Sequence, residues 1–430
     1  MQYTIKNARL IDGSIVDVVI KDGTITEIGN SLNVGEIVNA DKNLLIPGLV
    51  DLHTHLREPG REDSETVTTG SMAAAKGGFT AISAMANTFP VADTAGVVEQ
   101  VFRLGQEAGY CDVFPIGAVT QGLKGEALAE LGAMANSKAR VRMFSDDGKC
   151  VSDPLLMRRA LEYVKTFNGI IAQHAQDPAL TVGSQMNEGV VSSKLGLTGW
   201  PAVAEEAIIA RDILLAEHVG SRLHICHLTT AGGVDLLRFA KSRGINVTAE
   251  VTPHHLLLTD ELVSNYDPVF KVNPPLRTEQ DVMALRAGLA DGTIDIVGTD
   301  HAPHPTEDKD CEWQSAAFGM VGLETALSVV VKSMTETKLM SWSDLVERMS
   351  ITPARIAGYS NHGRNIAVGA PANLTIIDTS SNWIVDRNRL ASKSKNTPFQ
   401  AMSLPARVLH TFFNGNLVLK DSELVRGGSN

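Results

Sequence analysis

The feature that most constrains this chain is a recurrence. Eight short apolar runs are separated by stretches of helical character, and most of the runs end on a side chain that can do chemistry. The runs are Leu44–Leu52, Phe79–Met85, Val113–Val119, Val141–Phe144, Ile170–Gln173, Leu223–Cys226, Val247–Val251 and Ile294–Val297. Between them lie helical patterns such as Thr66–Lys76, Leu155–Lys165, Ala202–Glu217 and Gly233–Arg243. Ser64 is placed to cap the first of these helices and Gly77 to stop it. Runs of strand length alternating with helices predict parallel pairing, and eight of them predict an α/β fold, a (β/α)8 TIM-type barrel. In that fold the active site lies at the carboxyl ends of the strands. His53 and His55 follow the first run, Asn87 the second, Asp146 and Asp147 the fourth and His174 the fifth. His227 follows the sixth, His254 the seventh and Asp300 the eighth. The pattern therefore predicts that all of them converge on one mouth.

The two ends of the chain read differently. Tyr3–Ile11 alternates polar and apolar residues, and Val16–Ile28 does so again around Asp22-Gly23. An Asp-Gly pair between apolar runs is a strong hairpin signal. Ala372–Asp378 is a strand candidate, and Val408–Lys420 holds two more around Asn414-Gly415. The ends are expected to pair into one small β-sandwich domain, residues 1–48 with 360–430, around a barrel of residues 49–359.

Composition excludes several classes. The net charge of -11 argues against a general nucleic-acid binder, although a local arginine can still attract an anionic substrate. No segment of about 18 uninterrupted apolar residues is present, so no membrane span is expected. The start lacks the basic and apolar regions of a signal peptide. Cys111, Cys150, Cys226 and Cys311 are scattered without paired spacing and read as reduced thiols, which points to a cytoplasmic protein. Cys226 stands among histidines, but a small buried thiol is the plainer reading.

Asp51-Leu-His53-Thr-His55 places two imidazoles at i and i+2, on one side of a strand. Two such rings can hold a divalent metal at about 2.0–2.1 Å; taken alone, they could equally be loop histidines. His174 and His227 raise the imidazole count, and Asp147 and Asp300 add carboxylates. This is more than one metal needs, and a two-metal site bridged by a carboxylate would use them all. Nitrogen and oxygen donors without thiolate suit zinc, with manganese or cobalt as substitutes.

At this point the sequence resembles a known family, the type I dihydroorotases of the amidohydrolase superfamily. The matching stretches are Pro47-Gly-Leu-Val-Asp-Leu-His-Thr-His-Leu-Arg-Glu-Pro-Gly60, Asn87-Thr88, Phe144-Ser-Asp-Asp-Gly148, His174-Ala-Gln-Asp177 and Cys226-His227. They continue through Lys271-Val-Asn-Pro-Pro-Leu-Arg277, Gly298-Thr-Asp-His-Ala-Pro-His304 and Phe318-Gly-Met-Val-Gly-Leu-Glu324, in the family's order. The resemblance implies one or two zinc ions. His53, His55 and Asp300 would hold the first, His174 and His227 the second, and an aspartate would bridge them. Spacing to His174 favours Asp147 for the bridge and leaves Asp146 open. The implied reaction opens and closes the cyclic amide of dihydroorotate in pyrimidine synthesis, with Asp300 as the catalytic proton carrier. A metal lowers the pKa of its water from about 15.7 to about 7.

Substrate choice rests on fewer residues. A ring carboxylate calls for a guanidinium and neutral donors. Arg57 lies two residues past His55, although an arginine between Glu58 and Glu62 could equally be a surface ion pair. The resemblance assigns Arg57, Asn87 and His304 to the carboxylate, and Asn273 with the backbone around Phe318-Gly319 to the ring. His254 reads as a residue of the mouth, and His224 as a strand histidine facing the helices. The sequence departs from the family at Gln176, where glutamate is frequent, at Ala86, where proline is, and at Gln400-Ala401, where glycine is. The Gln176 departure is expected to weaken support for His174. As partners the resemblance suggests the small-molecule substrate, a second copy in a homodimer, and aspartate transcarbamoylase. The rivals are a hydantoinase, dihydropyrimidinase or allantoinase, and a non-catalytic scaffold subunit for that transcarbamoylase.

Overall fold

The structure is a computed structural model and describes residues 1–425. The chain opens with β1 (Gln2–Arg9), β2 (Ile15–Lys21), β3 (Thr24–Gly29), β4 (Glu36–Asn39) and β5 (Leu44–Pro47). The β2–β3 hairpin turns at Asp22 and Gly23, with φ of 47° and 81°, and closes on the pair Lys21 and Thr24. Two positive φ values in succession are what an Asp-Gly turn supplies most cheaply.

The central part contributes β6 (Leu49–Thr54), β7 (Phe79–Ala84), β8 (Asp112–Pro115), β9 (Met143–Phe144) and β10 (Ile170–Gln173). A two-residue parallel pair, β11 (Met186–Asn187) and β12 (Gly199–Trp200), precedes β13 (Arg222–Ile225), β14 (Val247–Val251) and β15 (Ile296–Val297). Strands β6-β7-β8 form one parallel set and β9-β10-β13-β14-β15 another. Parallel bridges Gly117 to Phe144 and Thr54 to His301 join the two sets at both edges. Helices lie between successive strands, among them Val67–Lys76, Pro154–Lys165, Val203–Val219 and Ala231–Ser242. The first is capped by Thr66, whose side chain accepts from Thr69 N, so the cap falls two residues after Ser64; it stops at Gly77 as expected. Asp153 and Thr230 cap two of the others in the same way.

The first apolar run serves two sheets. Leu44–Pro47 pairs with β16 (Leu374–Ile384), and Leu49–Thr54 starts the parallel set. The break is at Gly48, where a Cβ would lie 2.3 Å from the Thr80 side chain. Strands β17 (Ser403–Phe413), β18 (Asn416–Lys420) and β19 (Glu423–Leu424) complete the terminal sheet, with order β19-β18-β17-β16-β5-β1-β2-β3 and β4 beside β1. Hydrogen bonding joins all nine strands, from both ends of the chain, into one sheet, and Tyr3 of β1 packs on Phe412 of β17 with ring centroids 5.6 Å apart, so the sheet folds over itself. Ile5, Ile20, Leu45, Ile376 and Phe412 give this sheet its own core.

On the parallel strands, Val50, Leu52, Ala81, Ile170, Ala172, Cys226 and Ile296 share one cluster with Ala354 and Ile356. Register places His224 beside Ala172 and Thr248, and Glu250 beside Ile296. Residues paired across parallel strands share a face. His224 therefore stands on the same side as this cluster, and not toward the helices.

Candidate metal centre and active site

At the carboxyl ends of the parallel strands six donor side chains meet. His53 comes from β6 and His55 directly follows it, Asp147 follows β9, His174 follows β10, His227 follows β13 and Asp300 follows β15. Asp147 is the hub. Its Oδ2 lies 3.5 Å from His53 Nε2 and 3.2 Å from His55 Nε2. Its Oδ1 lies 3.3 Å from His174 Nδ1 and 3.1 Å from His227 Nε2. Asp300 Oδ1 is 3.1 Å from His55 Nε2 and 3.6 Å from His53 Nε2. Asp146 points elsewhere, accepting from Val119 N at 2.8 Å and Thr120 N at 2.9 Å. Of the two aspartates, only Asp147 faces the imidazoles.

Backbone geometry supports the convergence. Arg57, His227 and Asp300 all hold positive φ, at 62°, 31° and 45°. Such values are costly for residues with a Cβ and persist where the surroundings impose them. Asp51 braces the first strand against the last, its Oδ1 accepting from His53 N and Thr299 N, each at 3.0 Å. Burial pushes its carboxyl up to about 7, against the hydrogen bonds from Thr299 and His53.

The donor set fits a metal. His53 Nδ1 is held 2.5 Å from Glu250 Oε1, while its Nε2 is buried with no hydrogen-bond partner. A buried polar atom without a partner is expensive, and one aimed between two carboxylates suits a cation. His174 Nδ1 and His227 Nε2 lie 2.9 Å apart and face the same carboxylate oxygen. Burial disfavours every charged form here. The carboxylates of Asp147 and Glu250 nevertheless raise His53 well above the ordinary imidazole range, and the surrounding histidines hold Asp147 far down. Two sets of ligand atoms converge closely enough for an ion, His53 with His55 and Asp147, and Asp147 with His174 and His227. A third, His53 with Cys226 and Glu250, includes a thiol that burial pushes up to about 12.

Several supporting contacts were not legible in the sequence. Glu250 also accepts from His224 Nε2 at 3.2 Å, and His224 Nδ1 meets Thr248 Oγ1 at 2.8 Å. Glu250 lies inside an apolar run, and only its polarity could have marked it. His174 Nε2 donates to Gln176 Oε1 at 2.8 Å, so glutamine does support that ring. His254 is buried close to the cluster, its Nε2 without a partner, and burial lowers it to about 4.

The residues expected at the substrate lie alongside. Arg57 Nε donates to Pro303 O at 3.1 Å, and among the described residues its guanidinium has no ion-pair partner. Glu58 is engaged with Val67 N and Glu62 with Gly60 N. His304 Nε2 lies 2.8 Å from Phe318 O, a contact only a protonated nitrogen can make. Arg57 Nη2, 3.4 Å from that nitrogen, therefore finds no lone pair there and stays free to donate. Burial, then Arg57 and Lys309, lower His304 to about 3 and keep it neutral. Asn87 Oδ1 accepts from His55 Nδ1 at 2.8 Å. Asn273 Nδ2 donates to Gln176 at 3.3 Å, and its Oδ1 is buried without a partner. Gly319 N donates to Lys271 O at 3.0 Å.

A cluster of imidazoles and carboxylates at the ends of parallel strands, beside a guanidinium with no ion-pair partner among the described residues, is the donor set of a candidate metal-dependent hydrolase site. Comparison with known proteins narrows the class. Residues 42–232 match the family model described as dihydro-orotase-like. A dihydroorotase from Streptomyces coelicolor is 66% identical over 98% of this chain and 99% of its own length. One from Leifsonia xyli is 63% identical over 98% and 97%, and one from Mycobacterium tuberculosis 53% over 96% and 97%. The chain belongs to the dihydroorotase family. Among solved structures it is similar to an L-hydantoinase (dihydropyrimidinase) from Arthrobacter aurescens, with TM-score 0.88 and 26% identity over 99% of this chain and 97% of the other. A dihydropyrimidinase from Brevibacillus agri shares the fold, with TM-score 0.83 and 21% identity over 99% and 96%.

Proposed function

We propose that this chain is a type I dihydroorotase of the amidohydrolase superfamily, built on a closed (β/α)8 barrel. It catalyses the reversible hydrolysis of the cyclic amide of (S)-dihydroorotate to N-carbamoyl-L-aspartate in de novo pyrimidine synthesis. The observation that carries the substrate is Arg57, a guanidinium without an ion-pair partner among the described residues, held through Pro303 next to the donor cluster. Dihydroorotate carries a ring carboxylate for it; hydantoin, dihydrouracil and allantoin do not.

His53, His55 and Asp300 would hold one zinc ion, His174 and His227 a second, with Asp147 between them. Bound zinc supplies an activated water and polarises the amide carbonyl. Arg57, Asn87 and His304 seat the carboxylate, Arg57 and the Asn87 amide group as donors. The partnerless Asn273 Oδ1 accepts the ring N–H, and the backbone around Phe318-Gly319 flanks the ring. Asp300, buried and kept ionised by His55 and His53 against the pull of burial, takes a proton from the attacking water and passes it to the departing ring nitrogen. In the reverse direction the same groups close the ring.

The composite β domain of residues 1–48 and 360–430, the barrel of 49–359, a homodimer, association with aspartate transcarbamoylase and a cytoplasmic location belong to the same reading. No described helix is long and apolar enough to cross a membrane. The test is to quantify bound metal and to assay dihydroorotate beside hydantoin, dihydrouracil and allantoin. Zinc with turnover of dihydroorotate alone supports the whole reading. Turnover of a ring without the carboxylate overturns the roles of Arg57, Asn87 and His304. Neither metal nor turnover after zinc is restored makes the scaffold reading the better one.

A further inference from the structure

The segment between β16 and β17 belongs to neither set of parallel strands, yet it crosses to the substrate side of the molecule. Ser394 Oγ donates to Ser64 O at 2.6 Å and Lys393 N to Glu65 Oε1 at 2.9 Å. Ala391 N donates to Glu324 Oε1 at 2.8 Å. At its far end stands Asn396, only 6% exposed. Its Nδ2 donates to Ala302 O at 3.0 Å and to Gly319 O at 3.1 Å. Its Oδ1 accepts from His304 N at 3.2 Å, and its backbone carbonyl accepts from Val321 N at 3.2 Å. One amide therefore spends both donors and an acceptor on two neighbouring segments, 302–304 and 319–321.

Those segments are already as close as atoms allow. Gly319 holds φ of +146°, and a Cβ there would lie 2.8 Å from His304 Nε2 and 2.9 Å from Ala302 Cβ. Packing sets the minimum separation, and two direct contacts join the segments, Ala302 N donating to Met320 O and His304 Nε2 to Phe318 O, each at 2.8 Å. The Asn396 amide adds a third tie, bridging Ala302 O, Gly319 O and His304 N at once, and its planar O and NH2 groups dictate which backbone group sits opposite each. Lys309 Nζ adds a second donor to Gly319 O at 3.1 Å, from the other side.

We propose that Asn396 is a positioning residue: it fixes His304 against Phe318-Gly319 and so shapes the subsite that receives the ring and its carboxylate. The proposal rests on the reading above, in which His304 meets the carboxylate. Asn396 touches neither the donor cluster nor the proton path, so its loss should appear in KM and not in kcat. Asn396→Asp keeps the shape and places an oxygen against two carbonyl oxygens.

The experiment measures steady-state hydrolysis of dihydroorotate by the zinc-loaded enzyme, with zinc content and Tm, for the wild type, N396D, H304A and the double variant. For N396D the expected result is a KM raised about tenfold, with kcat within about threefold and zinc content unchanged. If Asn396 acts through His304, the double variant has a KM well below the product of the two single effects. A normal KM in N396D overturns the proposal. So does a parallel loss of zinc, Tm and kcat without a KM effect, which marks a structural role only. A normal KM in H304A, with N396D impaired, overturns the carboxylate placement and confines Asn396 to Gly319. If N396D does not fold, N396S is read by the same criteria.

Discussion

His53 Nδ1 lies 2.5 Å from Glu250 Oε1, and the opposite ring nitrogen is buried without a hydrogen-bond partner among the described residues. A ring tied at Nδ1 presents Nε2 in one direction only. Carboxylates that orient ligating histidines in this way typically govern affinity by about 10–100-fold. Glu250→Gln is therefore expected to weaken zinc retention by about that factor. Competition with a chelator of known affinity checks it; unchanged zinc affinity would remove Glu250 from the site.

Arg57 should carry substrate affinity. A hydrogen bond to a charged group contributes about 1.5–3 kcal/mol, or roughly a 10–100-fold rise in KM when lost. Arg57→Ala is expected to show that rise for dihydroorotate with zinc content intact. Arg57→Lys should recover little, since an ammonium lacks the planar fork. A KM for the alanine variant equal to that of wild type would show that the carboxylate lies elsewhere.

In the proposed mechanism turnover depends on Asp300. Asp300→Asn leaves an oxygen donor in place and abolishes the proton acceptor. A positioned acid–base group contributes about 10²–10⁴ in rate, so kcat should fall by that order while some zinc stays bound. Near-normal turnover by a zinc-loaded variant would sink the proton-carrier role.

Asp212 gives a prediction in pH. It is fully buried, donated to by Gln173 Nε2 and Arg211 Nε at 2.8 and 2.7 Å, and burial raises its carboxyl from 3.8 to about 6. The folded state thus holds this proton more tightly than the unfolded one. Its contribution is most favourable below pH 4, declines through pH 4–6 and is level above. The span corresponds to about 3 kcal/mol. Denaturant unfolding at pH 4 and pH 7 should show a smaller fall with pH in Asp212→Asn than in wild type; parallel profiles would refute the assignment.

Ala401 holds φ of 63°. The left-handed region costs a residue with a Cβ about 1–2 kcal/mol. Ala401→Gly should raise stability by up to about 1 kcal/mol after the entropy that glycine loses on folding. A lower Tm in the variant would count against strain at this turn.

Much of the fold and of the site was legible in one dimension. The hairpin at Asp22-Gly23, the capped helices and the succession of apolar runs are local properties, set by backbone torsion and by burial at fixed spacing. The i, i+2 spacing of His53 and His55 and the placement of polar residues at run ends pointed to the side chains that meet at the strand ends, except that Asp146 and Asp147 stayed undivided. The run Leu44–Leu52 misled, because two short strands in different sheets look like one long one when both are buried.

What the sequence by itself determined, then, is which residues end the strands and what chemistry they can perform. Tertiary structure decided direction. A strand buried on both faces gives no hydrophobic alternation to tell its sides apart, so the inward turn of His224 and Glu250 could not be read. Asp147 was separated from Asp146 only by the bonds that Val119 and Thr120 make to the latter. Asn396 lies 92 positions from His304 and 77 from Gly319, and only folding brings its amide to both.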